Sequence, residues 1–164
     1  MNDEEMLSIL QHYRHDLMNE LQVIQGYLTM GKETIANDKI NTMFGRFQEE
    51  RKLIQLDIPK FALWLIRFNS IYDLCRLTYN IHIEDRGLST KDERLLERCK
   101  QVIDRLPSDT FFNIHITLDE KQNNENEIVV EMNIEGDVES NELDMNSDLE
   151  VTESEKGVMF TFIV

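Results

Sequence analysis

The chain is short of basic residues and of long apolar runs. Its 164 residues include 17 Lys and Arg against 32 Asp and Glu, which gives a formal net charge of −15 at pH 7. Nucleic acids and anionic membrane surfaces attract proteins through patches of Lys and Arg, so this balance argues against both as partners. The longest strongly apolar run, residues 61–66, is far shorter than the roughly 20 residues that a membrane-spanning helix needs.

Cysteine is equally scarce, with Cys75 and Cys99 as the two thiols, each in a pattern that predicts a helix. Neither has a partner at the short spacing of a zinc site, and such isolated thiols are typical of a reducing compartment. Residues 1–5 are acidic, unlike the basic start of a targeting peptide. These features predict a cytoplasmic protein without a bound metal.

The six glycines stand far apart in the chain: Gly26, Gly31, Gly45, Gly87, Gly136 and Gly157. A phosphate cradle needs closely spaced glycines, because their bare backbone amides must approach the nucleotide. No two of these glycines are close enough to build one. The sequence therefore predicts that this chain carries no nucleotide cofactor.

A long amphipathic helix near the N-terminus is the most informative feature that is present. Its apolar residues recur in steps of three and four over about six turns: Met6, Leu10, Tyr13, Leu17, Leu21, Ile24 and Leu28. This stripe predicts the buried face of the helix. At about 100° per residue, His15 lies roughly opposite the stripe, where a core histidine would not lie.

The outer face around His15 carries small and polar residues: Gln11, His12, Asn19, Gln22 and Gly26. Imidazole is largely neutral near pH 7 and can attack an incoming electrophile. Glycine costs a helix about 1 kcal/mol relative to alanine, and Gly26 on this face removes bulk, as a docking surface would require. The alternative is an ordinary solvated histidine and an incidental glycine, and from geometry alone it stays open.

One run of residues resembles the phosphoacceptor helix of the sporulation initiation phosphotransferase B family: Arg14-His15-Asp16, then Asn19, Leu21, Ile24, Gly26 and Leu28. The related helices of citrate/malate-type sensor kinases are similar. The match is dense over residues 7–31 and looser, by element order and length, over most of the chain.

The resemblance implies that His15 accepts a phosphoryl group, with Arg14, Asp16 and Asn19 as supporting groups beside it. Asp16 could orient the imidazole, and Asn19, one turn on, could bind the partner or phosphoryl oxygens. Arg14 lies nearer the apolar seam, which weakens its role in offsetting phosphate charge. The outer-face residues are the predicted partner-binding surface: Gln11, His12, Gln22 and Gly26.

Residues 1–58 are predicted to form a helical hairpin for dimerisation and phosphate acceptance. The first helix should cover residues 3–30 and stop at Gly31, and the second should cover residues 33–55. A short connection makes two helices antiparallel, and a lone hairpin buries only part of its apolar surface. A second copy would complete a four-helix bundle. We therefore expect a homodimer, which the resemblance also implies.

Pro59 marks the start of a second predicted domain, residues 59–164. The patterns predict helices over residues 61–77 and 91–106, and strands over 79–84, 110–118, 127–134, 149–152 and 158–163. Residues 122–126 should connect two of the strands as a hairpin. This order predicts an α+β fold with helices on one face of a mostly antiparallel sheet.

The second domain resembles the ATP-binding domain of histidine kinases, but it departs from that domain where the chemistry would lie. Such a domain needs an asparagine and a carboxylate on its phosphate-facing helix for magnesium, and glycine-rich turns. The candidate helix, residues 92–100, has no asparagine, and the turn at 133–139 has one glycine among acidic residues. We expect a degenerate ATPase-like sandwich domain that binds no nucleotide.

Two functions remain in competition. The first is a phosphorelay histidine phosphotransferase that passes a phosphoryl group between the aspartates of response regulator receiver domains through His15, with Mg²⁺ on the receiver and none on this chain. The second is a dimeric binding module that docks a receiver or a kinase without phosphoryl transfer. A third reading, a soluble ATP-using histidine kinase, lacks the required asparagine and glycines.

Overall fold

The computed structural model describes residues 2–84, 87–121, 127–136, 149–154 and 157–164. The described residues form four α-helices, one 3-10 turn and a five-stranded sheet, which confirms the predicted α+β class. The chain divides into two compact units, Met1–Gln48 and Glu49–Val164. This division precedes the boundary predicted after residue 58, because the end of the second helix packs into the second unit: Leu53 and Leu56 belong to its core.

Local sequence determines both ends of the first helix, α1 (Asp3–Thr29). At the start, the Asn2 side chain accepts a hydrogen bond from the Glu5 amide (2.8 Å), and the Glu5 carboxylate accepts one from the Asn2 amide (2.9 Å). This reciprocal cap satisfies two otherwise unpaired donors. At the end, Gly31 adopts φ +69° and donates its amide to the Leu28 carbonyl (3.0 Å), so the predicted stop is confirmed.

The second helix, α2 (Glu33–Gln55), has the bounds that the apolar pattern predicts. Within the first unit Arg46 joins it to α1, donating two hydrogen bonds to the Glu20 carboxylate at 2.5 and 2.8 Å. Such a fork-shaped pair is the strongest form of charge-assisted hydrogen bond between side chains.

The apolar stripe of α1 is not buried within a single chain. Ile24 is buried, with 7% of its surface exposed, whereas five other stripe residues expose between 37% and 58%: Met6, Leu10, Tyr13, Leu21 and Leu28. The expectation that the stripe is a buried face therefore does not hold for one copy alone. A row of exposed apolar side chains of this length is typical of an interaction surface.

The second unit continues with α3 (Pro59–Ile71), β1 (Cys75–Ile81), a 3-10 turn (Ser89–Lys91), α4 (Asp92–Ile103), β2 (Phe112–Glu120), β3 (Ile128–Glu135), β4 (Glu150–Ser154) and β5 (Gly157–Ile163). The strand order is β1-β2-β3-β5-β4; β1 runs parallel to β2, and the other pairs are antiparallel. Burial alternates along the strands, so one face of the sheet joins α3 and α4 in a common core.

The predicted helix over residues 61–77 is too long. It ends at Ile71, and residues 75–81 form β1, so the prediction that Cys75 lies in a helix is wrong. The spacing of apolar residues in this segment is compatible with both a helix and a strand. The segment forms a strand because it pairs in register with β2. The predicted hairpin connection at residues 122–126 lies outside the described residues.

Candidate functional site

His15 lies on the outer face of α1, as predicted, with 72% of its side chain exposed. It lies inside a helix of 27 residues, so the helical backbone sets the direction in which the side chain projects. An exposed imidazole on a rigid element can meet the reactive group of a second protein.

Two neighbours contact the same nitrogen of this imidazole. The Asp16 carboxylate lies 3.3 Å from Nδ1, and the Asn19 amide lies 3.2 Å from it. A protonated Nδ1 donates to the Asp16 carboxylate, whereas an unprotonated Nδ1 accepts from Asn19 Nδ2, the amide atom that faces the ring, so the two contacts belong to alternative tautomers of His15. Within the part of the chain that the structure describes, Nε2 of His15 has no hydrogen-bond partner. In the tautomer that donates to Asp16, the lone pair is on Nε2, which suits nucleophilic attack.

The structure therefore brings two of the three predicted supporting residues to His15. Arg14 is exposed, and among the described residues it makes neither a hydrogen bond nor an ion pair. A contribution of Arg14 to phosphate binding stays a prediction.

The predicted partner-binding residues share the outer side of α1. Gln11, His12 and Gln22 are exposed, and Gly26 is half-buried. His12 Nδ1 lies 2.7 Å from the carbonyl oxygen of Ser8 on the same helix, so a proton on Nδ1 is donated to that carbonyl. This contact distinguishes His12 from His15, whose Nδ1 partners are side chains.

Packing within the chain does not explain the glycine at position 26. A Cβ atom placed there meets no atom within 4 Å, so alanine would fit at the level of a single copy. Met18, one turn after His15, exposes 49% of its surface.

The carboxylate of Asp92, on the candidate phosphate-facing helix, is used within the fold. Asp92 is 6% exposed, and its two oxygens accept hydrogen bonds from the amides of Phe61 (2.8 Å) and Lys60 (3.0 Å). These amides begin α3, whose N-cap residue Ile58 supplies no side-chain hydrogen bond. Asp92 therefore caps α3 from a different helix.

Among the described residues, no group of three or more His, Cys, Asp or Glu side chains is placed to hold a metal ion. None of the described helices is both long enough and apolar enough to cross a membrane. Burial raises the pKa of both thiols, Cys75 and Cys99, above the ordinary range, which makes them poor nucleophiles at neutral pH.

Two comparisons found known proteins to which this chain is similar. The family model of the sensor kinase SpoOB-type alpha-helical domain matches residues 1–56. The sporulation initiation phosphotransferase B of Bacillus subtilis (strain 168) is 32% identical over 98 residues, which are 60% of this chain and 51% of that protein. The chain thus spans about half the length of this curated relative.

Proposed function

We propose that this chain is a phosphorelay histidine phosphotransferase. The proposal starts from its N-terminal helices, where residues 1–56 match the sensor kinase SpoOB-type alpha-helical domain, in line with the predicted resemblance to the sporulation initiation phosphotransferase B family. His15 takes a phosphoryl group from the aspartyl phosphate of one receiver domain and passes it to the aspartate of another. The observation that carries this proposal is the exposed His15 imidazole, whose Nδ1 contacts Asp16 and Asn19 while its Nε2 has no partner among the described residues.

The proposed transfer has two steps, from the first receiver to His15 and from His15 to the second receiver, and each step forms one bond and breaks one. The Nε2 lone pair attacks the phosphorus, a P–N bond forms, and the P–O bond to the receiver aspartate breaks, leaving that carboxylate with the electron pair. The ring then carries a positive charge with the proton on Nδ1. A second receiver aspartate reverses these steps. Mg²⁺ on the receiver, when bound there, offsets the charge on the phosphoryl oxygens.

Asp16 and Asn19 are positioning residues in this scheme. The Asp16 carboxylate beside Nδ1 favours the tautomer that leaves Nε2 unprotonated, and it stabilises the charge that the ring gains on phosphorylation. Asn19 restrains rotation of the ring from one turn further along the helix. A misplacement of about 1 Å can cost a factor of about 100 in rate, so these contacts are expected to matter for transfer.

A homodimer accounts for the exposed stripe of α1. We propose that a second copy covers the row of apolar side chains, giving a four-helix bundle with two His15 residues on its outer faces. The charge pair of Arg46 and Glu20 supports this arrangement by holding each hairpin together before the copies meet.

The decisive experiment mixes the full chain with a cognate receiver that has been phosphorylated by a small acyl phosphate donor and then freed of it. The chain should gain phosphate that is stable in base and labile in acid, as a phosphoramidate is, and phosphorus NMR should place it on Nε2 of His15. His15→Ala should abolish labelling, and His12→Ala should retain it. Asn19→Ala should lower the transfer rate about ten- to a hundredfold without unfolding the chain.

Two results would redirect the interpretation. If the receiver binds wild-type chain and His15→Ala equally well and neither is ever labelled, the chain is a binding module and not a transferase. If Mg²⁺-ATP alone labels His15, the chain is a kinase. We expect neither, and we expect no saturable heat on titration with Mg²⁺-ATP.

A further inference from the structure

Strand β1 lies at one edge of the sheet within the described residues, pairing with β2 on one side only. An edge strand presents N–H and C=O groups that can pair with a strand from another chain. The outer edge of β1 does not present them freely, because side chains from two helices bind its backbone. These contacts lie within the second unit, whereas His15 lies in the first.

Asn69, on α3, forms hydrogen bonds with both the backbone amide and the backbone carbonyl of one residue on this edge. Its Oδ1 accepts a hydrogen bond from the Leu77 amide (2.8 Å), and its Nδ2 donates one to the Leu77 carbonyl (3.1 Å). A primary amide carries the same donor and acceptor as a peptide group. Asn69 thus occupies the place that a residue of a neighbouring strand would take.

The end of α2 binds a second position of the same edge. The Ile81 amide donates to Glu49 Oε2 (2.6 Å), and the Ile81 carbonyl accepts from Lys52 Nζ (3.3 Å). Lys52 Nζ also lies 2.6 Å from Glu49 Oε1, and this ion pair holds the two charged groups next to each other. Here the donor and the acceptor come from two side chains, and together they pair with the amide and the carbonyl of a single residue, as Asn69 does alone.

Leu77 and Ile81 share one edge, because successive strand residues alternate and these two are four apart. At the start of the strand, the Cys75 amide is bound by the Tyr72 carbonyl (3.2 Å). We propose that Asn69, Glu49 and Lys52 form an edge guard that keeps β1 from pairing with a strand of a second copy of this chain. Its loss opens a second route of self-association.

The test compares two variants that remove the same charge. Glu49→Ala leaves the Ile81 amide without an acceptor, whereas Glu49→Gln keeps an oxygen within reach of it. Combined with Asn69→Ala, the alanine variant should shift in sedimentation velocity to species larger than the parent, and the shift should grow with concentration. Asn69→Ala with Glu49→Gln should shift less. Asn113→Ala with Glu97→Ala is the control, since it changes the same residue types at exposed positions on β2 and α4, away from the outer edge of β1.

Hydrogen exchange gives an independent measurement on the single variants, which preserve more of the fold. The amide of Leu77 in Asn69→Ala, and that of Ile81 in Glu49→Ala, should exchange about tenfold faster, the factor by which one lost hydrogen bond changes an equilibrium. Unchanged exchange would show that the guard contacts are absent in solution. Faster exchange without larger species in the folded double variant would show that they do not block association. Either result overturns the proposal.

Discussion

Replacing Asp92 tests the cap that joins α4 to α3. In Asp92→Ala the backbone amides of Lys60 and Phe61 lose their hydrogen-bond acceptor. Asp92 is buried, so water does not readily replace the lost carboxylate. Among the described residues Asp92 is the one buried charged side chain. The substitution therefore removes both hydrogen bonds at once and leaves the start of α3 without a side-chain cap.

The magnitude follows from these two contacts. A buried donor left without a partner costs about 1–3 kcal/mol, and the loss of a helix cap costs about 1 kcal/mol by a separate measure. We expect Asp92→Ala to lower the free energy of unfolding by about 3 kcal/mol, a large part of the roughly 5–15 kcal/mol typical of a domain. Asp92→Asn keeps one acceptor oxygen and should lose about half as much.

Urea denaturation followed by tryptophan fluorescence is suited to this measurement, because Trp64 is the single tryptophan of the chain and lies buried on α3, one turn from the cap. With an m value of about 2 kcal/mol/M, the midpoint should fall by about 1.5 M. Glu93→Ala is the matched control, since Glu93 carries the same charge, is exposed and contacts Lys60 only through its side chain; its midpoint should barely move. Equal midpoints for Asp92→Ala and Glu93→Ala would refute the capping argument.

Three further outcomes are expected. Gly26→Ala and Gly45→Ala should each stabilise the helical hairpin by about 0.5–1 kcal/mol in thermal melts, since neither new methyl group meets an atom within 4 Å; Gly26→Ala alone should slow phosphoryl transfer, and an unchanged rate would remove Gly26 from the docking surface. Leu21→Asp, within the exposed stripe, should give a monomer in light scattering, and a monomeric parent chain would contradict the proposed dimer. Because burial raises the pKa of Cys75 and Cys99, a thiol reagent at about pH 8, near the pKa of a free thiol, should label neither in the native chain and both in urea; rapid native labelling would show that these thiols are accessible.

Periodicity predicted the hairpin and most of the sheet. Both ends of α2 and the stop at Gly31 agree with the structure, because caps and apolar spacing are local properties of the chain. The strands were found within a few residues for the same reason. The boundary between α3 and β1 was misplaced, since the segment suits both periods and only its pairing with β2 decides between them.

The sequence by itself determined the α+β class, the outward position of His15 and the identity of the residues one and four positions after it, because a helix converts sequence spacing directly into a surface. Only the tertiary structure decided that both neighbours meet the same ring nitrogen, that Asp92 caps α3, and that Asn69 and Glu49 bind the edge of β1. The contacts at His15 depend on side-chain conformation. The contacts of Asp92, Asn69 and Glu49 join residues that are 31, 8 and 32 positions apart in the chain, respectively. No local pattern encodes such pairings, since they arise when packed elements bring distant backbone groups within hydrogen-bond reach.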